Sequence, residues 1–91
     1  MKTLTKETSL NKSLKSGRVA IFSNAKHQEQ IGDDDIREAR VYFTEGRSNW
    51  NTGYFIHYNG QLINQSKTFR TLEKRLDVLC ANWNLEFEGY E

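Results

Sequence analysis

Residues 54–65 read Tyr-Phe-Ile-His-Tyr-Asn-Gly-Gln-Leu-Ile-Asn-Gln, and they contain the strongest local structural signal in this 91-residue chain. Two runs rich in strand-forming residues flank the dipeptide Asn59-Gly60. Asn and Gly accept the positive φ angles that both central positions of a type I′ turn require, so the sequence predicts a two-residue β-hairpin. Such a short loop sets the register and places four pairs opposite one another: Tyr58 with Gln61, His57 with Leu62, Ile56 with Ile63, and Phe55 with Asn64.

Three further segments have the pattern of strands. Residues 18–23 contain the apolar run Val-Ala-Ile-Phe, which is typical of a strand. Residues 39–44 alternate, with Ala, Val and Phe on one side and Arg, Tyr and Thr on the other, which predicts a half-buried strand. Residues 85–88 alternate Leu and Phe with two glutamates and predict a short last strand. If that strand lies at a sheet edge, its glutamates discourage open-ended pairing.

One amphipathic helix follows the hairpin. Thr71 is a favourable N-cap with Glu73 in the first turn, and either Asn82 or Asn84 can end the helix. The apolar positions form one continuous stripe of five residues: Leu72, Leu76, Leu79, Cys80 and Trp83.

The other segments are polar. Residues 1–17 are basic and form either a loose tail or a short helix, in which Leu10 and Leu14 lie one turn apart. Residues 24–35 are expected to form a polar loop. The sequence therefore predicts an α+β fold: residues 18–91 form a single domain, an antiparallel sheet of four to five strands with one amphipathic helix packed on one face. Residues 1–17 precede it as a polar basic segment or a short N-terminal helix.

The length and composition limit the classes of protein to which the chain can belong. Ninety-one residues hold one domain with a modest core. No apolar run approaches the ~18 residues that a membrane-spanning helix needs. The first thirty residues show no apolar signal-peptide core, so we expect a cytoplasmic protein without a membrane partner. A single cysteine excludes an internal disulfide and a zinc site built from cysteines.

Charge is nearly balanced overall but segregated along the chain. The net charge is +1, so no global field indicates a nucleic-acid or membrane partner. Residues 1–18 and 47–75 are net basic, whereas residues 19–46 and 76–91 are net acidic. These blocks either cancel on folding or leave one basic and one acidic face.

No pattern of residues gives a strong catalytic or metal-binding signal. The acidic run, Asp33, Asp34 and Asp35, lacks the alternating spacing and closing glutamate of a calcium loop. No catalytic partner of His57 is implied by spacing, and Cys80 lies on the apolar stripe of the helix. The glycines are scattered, so no phosphate-binding loop is recognisable. We therefore expect a non-enzymatic protein without cofactor or metal; the alternative, a weak enzyme, would depend on a divalent metal at the acidic run.

The sequence supports a binding surface better than it supports a catalytic or metal-binding site. Arg47, Trp50 and Tyr54 lie in or beside a loop bracketed by glycines, and these residue types are enriched at protein-binding hot spots. With the acidic run, whose carboxylates could imitate phosphates, they favour a small protein that occupies a surface of a larger protein or ribonucleoprotein partner. Accessory proteins of phages and other mobile elements, such as inhibitors of host defence of the anti-CRISPR type, are one concrete form of this hypothesis.

A basic cluster supports the alternative of a nucleic-acid-binding accessory domain. Its members lie at the end of the hairpin and the start of the helix: Lys67, Arg70, Lys74 and Arg75. Residues 53–80 loosely resemble the three-strand-plus-helix DNA-binding modules of phage integrase arm domains and AP2-type domains. The resemblance is carried by Tyr58-Asn59-Gly60-Gln61 and Lys67-Thr68-Phe69-Arg70-Thr71-Leu72-Glu73. Those modules read DNA with their sheet, whereas strands 54–58 and 61–65 here contain no Lys or Arg. Both a monomer and a homodimer are compatible with the sequence.

Overall fold

The computed structural model describes residues 10–46 and 52–91. These residues form a five-stranded antiparallel sheet in the order β4-β3-β2-β1-β5, together with three helices. The strands are β1 (Ala20–Ser23), β2 (Glu38–Thr44), β3 (Gly53–Tyr58), β4 (Gln61–Ser66) and β5 (Glu86–Tyr90). The helices are α1, of which residues 10–15 are described, α2 (Ala25–Ile31) and α3 (Phe69–Trp83). The predicted α+β fold with a helix packed on an antiparallel sheet is confirmed.

The hairpin of β3 and β4 has the predicted turn but a different register beyond its first two pairs. Asn59 and Gly60 have φ angles of 50° and 83°, as a type I′ turn requires. Past His57, however, Ile56 lies opposite Asn64 rather than Ile63. A β-bulge inserts Ile63 as an extra residue, and a turn can set the register only as far as the first bulge.

The long helix α3 begins one turn earlier than the sequence predicts. Thr68, not Thr71, is the N-cap, and its side-chain oxygen accepts a hydrogen bond from the Thr71 N–H at 3.3 Å. The earlier start brings Phe69 against the Tyr54 ring, with a centroid distance of 5.7 Å. Packing therefore selects between two threonines that local capping chemistry cannot distinguish. At the other end, Asn84 is the C-cap in the left-handed conformation, with φ of 58°.

The segment predicted as a polar loop contains the short helix α2 instead. This helix runs from Ala25 to Ile31 and ends at Gly32, whose φ of 74° is left-handed. Its one buried residue is Gln28. The prediction of a loop was wrong here because the helix has no apolar stripe from which it could be recognised.

The core lies on one face of the sheet. Leu10 and Leu14 of α1 are buried in the same cluster as Leu72 and Leu76 of α3, so α1 and α3 cover the same face. The sheet contributes the following side chains to this cluster: Ala20, Phe22, Ala39, Val41, Tyr54 and Ile56. The short N-terminal helix is thus part of the fold, although residues 1–9 lie outside the described part. Within residues 10–46 and 52–91, no helix has both the length and the apolar character needed to cross a membrane.

The opposite sheet face carries a smaller aromatic group. The Tyr42 ring stacks on Phe55 with centroids 5.2 Å apart, and its hydroxyl lies 3.0 Å from Nε2 of His57. Phe55 is buried but does not belong to the core cluster. Cys80 packs against the core from α3, so the sheet separates this thiol from His57 and the two do not form a nucleophile–base pair.

Candidate protein-binding surface

The first predicted contact group is only partly within the described structure. Arg47 and Trp50 fall outside the described residues. Tyr54 lies in the core and is 3% exposed, with its hydroxyl donating to Oδ1 of Asn11 at 2.8 Å. This burial also raises the pKa of the Tyr54 hydroxyl. Tyr54 therefore holds α1 to the sheet, and its ring is not presented to a partner.

The acidic run is exposed and follows α2. Asp33 Oδ1 accepts a hydrogen bond from the Asp35 N–H at 3.0 Å, which closes a turn of the Asx type. The Asp35 carboxylate pairs with Arg37, at 2.9 Å from Nη2 and 3.3 Å from Nε. Within the described residues, no group of three or more His, Cys, Asp or Glu side chains is arranged to hold a metal ion.

Arg37 connects the acidic run to two aromatic rings that the sequence alone does not assign to a binding surface. Its Nη1 donates to the Tyr58 hydroxyl at 2.8 Å, and its guanidinium carbon lies 3.8 Å from the centroid of the Trp83 ring. The Tyr58 and Trp83 centroids are 6.3 Å apart. We call these three residues the Arg37–Tyr58–Trp83 cluster. Hydrogen bonds to Tyr58 and then to Asp35 raise the pKa of Arg37, so its guanidinium stays charged.

Backbone contacts fix the position of Arg37. Asn24 is 3% exposed, and its side chain accepts from the Arg37 N–H at 2.7 Å and donates to the Asp35 carbonyl at 3.3 Å. The Asn24 N–H also donates to the Arg37 carbonyl at 3.2 Å. On the next residue, the Glu38 N–H donates to Oδ1 of Asn59 at 2.9 Å. The start of β2 is therefore tied both to the end of β1 and to the hairpin turn.

The cluster is assembled at the ends of secondary-structure elements and is partly exposed to solvent. Tyr58 ends β3, Trp83 ends α3 and Arg37 immediately precedes β2. Trp83 is 38% exposed, so part of its ring remains free for contact although one face carries Arg37. Trp83 is the last member of the apolar stripe predicted for α3, and a large aromatic residue at the end of such a stripe is the one sequence signal that could have indicated this site.

The predicted basic cluster is exposed in full. Lys67 follows β4, and the other three residues lie in the first two turns of α3. Because α3 begins at Phe69, Arg70 and Lys74 are both helical and lie one turn apart on the same side. The structure thus brings together two of the four basic residues more closely than a helix starting after Thr71 would have done.

Comparisons with protein-family models, with curated proteins and with solved structures find no match for this chain. The surface of the molecule is therefore the basis on which its function is inferred.

Proposed function

We propose that this chain is a small non-enzymatic binding protein that occupies a surface of a larger protein or ribonucleoprotein partner, with the Arg37–Tyr58–Trp83 cluster at the centre of the contact. The observation that carries the proposal is the geometry of Arg37, which is held over a partly exposed tryptophan by bonds to Tyr58 and Asp35. Arg, Trp and Tyr are the residue types most enriched at binding hot spots.

Rigidity makes this cluster suitable as an anchor. Ordering a flexible side chain on binding costs roughly 0.5–1.5 kcal/mol, and this cost is reduced when the side chain is already held in place. Arg37 has the longest side chain of the cluster and already makes hydrogen bonds to two residues in the unbound protein. A partner would therefore meet a surface that needs little rearrangement.

The neighbouring acidic run extends the surface and suggests the charge of the partner. Asp35 is neutralised by Arg37, whereas Asp33 and Asp34 are exposed and precede it directly along the chain. Their carboxylates are suited to a basic, nucleic-acid-binding surface of the partner. A cytoplasmic accessory protein of a phage or other mobile element, such as an inhibitor of host defence of the anti-CRISPR type, is one form that this function could take.

The test is affinity capture followed by measurement of the purified pair. Tagged protein is incubated with host lysate at low and high salt, with and without nuclease, and bound proteins are identified by mass spectrometry. We expect a defined partner that survives high salt and nuclease. Trp83→Ala should then weaken the purified complex by about 30-fold or more, since hot-spot truncations cost roughly 2 kcal/mol or more.

Val78→Ala is the matched control. Val78 lies on the same helix and is 60% exposed, but it has no part in the cluster. Its truncation should leave the affinity within about twofold of the wild-type value. Equal affinities for the Trp83→Ala and Val78→Ala proteins would contradict the assignment of the cluster as the contact centre.

The alternative function, nucleic-acid binding by Lys67, Arg70, Lys74 and Arg75, is favoured by the early start of α3, which aligns Arg70 with Lys74. It predicts binding to short DNA or RNA in a fluorescence anisotropy titration, with an affinity that falls steeply as salt increases. Replacing both Arg70 and Lys74 by alanine should weaken binding and reduce the salt slope by about one unit for each phosphate that is no longer neutralised. Asp34→Asn serves as the control and should not weaken binding.

A further inference from the structure

The two edges of the sheet differ in chemistry. β5 forms one edge and carries Glu86 and Glu88, acidic side chains of the kind that discourage another strand from pairing there. β4 forms the other edge and reads Gln-Leu-Ile-Asn-Gln-Ser, without a single charged residue. Its apolar side chains are not hidden, since Leu62 and Ile63 are about half exposed. An uncharged edge strand with exposed apolar side chains is a template for further pairing.

We propose that β4 pairs in antiparallel fashion with β4 of a second copy of this chain, so that two sheets join into one across a twofold axis. In a twofold interface each strand faces itself, which a charged edge opposes by placing like charges together. β5 would bring its glutamates against one another, whereas β4 brings only neutral side chains together.

The bulge in β4 determines the register of this pairing. Because Leu62 lies opposite His57 and Gln65 lies opposite Phe55, both side chains share the aromatic face of the sheet. A twofold axis between Ile63 and Asn64 then places Leu62 beside Gln65 of the second copy, with both side chains on the same face. The same axis places Gln61 beside Ser66 of the second copy. Both side chains lie on the core face, because the β3 partners of Gln61 and Ser66 are Tyr58 and Tyr54. Antiparallel pairing requires this agreement of faces.

Position 63 is next to the proposed axis in both copies, so it gives a test that is specific for this register. We expect sedimentation velocity over a concentration series to show a monomer–dimer equilibrium for the wild-type protein. Ile63→Lys and Ile63→Glu should each raise the dimer dissociation constant by about tenfold or more, because two like charges meet near the axis. An equimolar mixture of the two variants should recover the dimer, since opposite charges then meet.

Val78→Lys and Val78→Glu are the controls, because Val78 is exposed to a similar degree but lies on α3. Neither should change the dissociation constant, and far-UV circular dichroism should show that all four variants fold. Deuterium exchange of the full chain should slow at residues 61–66 as the dimer forms. A wild-type protein that stays monomeric throughout overturns the proposal. A dimer that tolerates Ile63→Lys, or a charge-swapped mixture that stays monomeric, overturns it equally.

Discussion

Asn24 is a small buried residue on which the shape of the candidate surface depends. Its side chain satisfies the Arg37 N–H and the Asp35 carbonyl, and alanine at this position would leave both groups without that partner. A buried donor or acceptor left unsatisfied costs about 1–3 kcal/mol. We therefore expect Asn24→Ala to lower the free energy of unfolding by about 1–3 kcal/mol in urea denaturation.

Asn82→Ala is the control for this substitution, because Asn82 lies on the exposed side of α3. An exposed substitution of this kind should change the free energy of unfolding by no more than about 0.5 kcal/mol. If the two alanine variants have the same stability, Asn24 does not hold the segment that carries Arg37.

Gly53 and Gly89 form a natural pair for separating steric overlap from backbone strain. Both have left-handed φ angles, 137° and 132°, so alanine is strained at either position. A Cβ on Gly53 would lie 2.6 Å from the Ser66 carbonyl oxygen, whereas a Cβ on Gly89 would meet nothing within 4 Å. We expect Gly53→Ala to lower the free energy of unfolding by about 1–3 kcal/mol more than Gly89→Ala does. Equal losses in thermal or urea denaturation would mean that the backbone around Ser66 relaxes freely.

Helix α3 gives a direct comparison between a sequence-based N-cap and the one in the structure. Thr68 supplies the cap, and removing its hydroxyl should cost about 1 kcal/mol of unfolding free energy. Thr71→Ala should cost less, because the Thr71 hydroxyl accepts a hydrogen bond from the Thr68 hydroxyl, at 3.1 Å, while the capping bond uses the Thr71 backbone. The two alanine variants can be ranked by their urea midpoints. A greater loss of unfolding free energy in Thr71→Ala than in Thr68→Ala would show that Thr71 is the N-cap, as the sequence predicts.

Some features of the secondary structure were predictable because they depend on neighbouring residues. The turn at Asn59-Gly60 is confirmed, and of the two asparagines that the sequence offers as the end of α3, Asn84 is the C-cap. Each feature follows from the backbone preference of a residue type. The bulge at Ile63 and the start of α3 at Phe69 were not predicted. Both depend on which side chains meet in the folded protein, and local preference contains no information about such contacts.

The candidate surface was predictable only in part, for a related reason. The acidic run is contiguous and exposed, so the sequence indicates it directly. Arg37, Tyr58 and Trp83 are far apart along the chain and come together only when β2, β3 and α3 are in place. Tyr54 was assigned to the surface from its residue type, yet its position in β3 points it into the core.

The strand order determines which strands form the two edges of the described sheet. β5 pairs with β1 rather than with β4, which brings the end of the chain beside its first strand. The Glu91 N–H donates to the Val19 carbonyl at 2.8 Å, and the Glu91 carboxylate bonds the Arg40 guanidinium. The sequence predicts a last strand but not the edge that it joins, since its glutamates suit either edge. This order makes the uncharged β4 the other edge of the described sheet.

Tyr54 joins three parts of the molecule, and its ionisation should therefore affect the stability of the whole fold. It packs on Phe43 of β2 and Phe69 of α3 and bonds Asn11 of α1. Burial raises its pKa above the ordinary value of 10.0, so the unfolded chain loses this proton more readily than the folded protein. The stability that the neutral Tyr54 hydroxyl gives the folded protein is fully present below about pH 10. It is lost as the pH rises through the folded-state pKa, because ionisation then favours the unfolded state.

We therefore expect the free energy of unfolding to fall between about pH 9 and pH 11, and to fall less steeply in Tyr54→Phe, where position 54 cannot ionise. At neutral pH the variant should be less stable by about 0.5–1.5 kcal/mol, because it lacks the hydrogen bond to Asn11. The difference in the free energy of unfolding between the wild-type protein and Tyr54→Phe should then shrink as the pH rises. Urea denaturation at several pH values measures both curves, and the other tyrosines and the lysines contribute equally to each. Parallel curves across this range would show that the Tyr54 hydroxyl ionises as easily in the folded protein as in the unfolded chain.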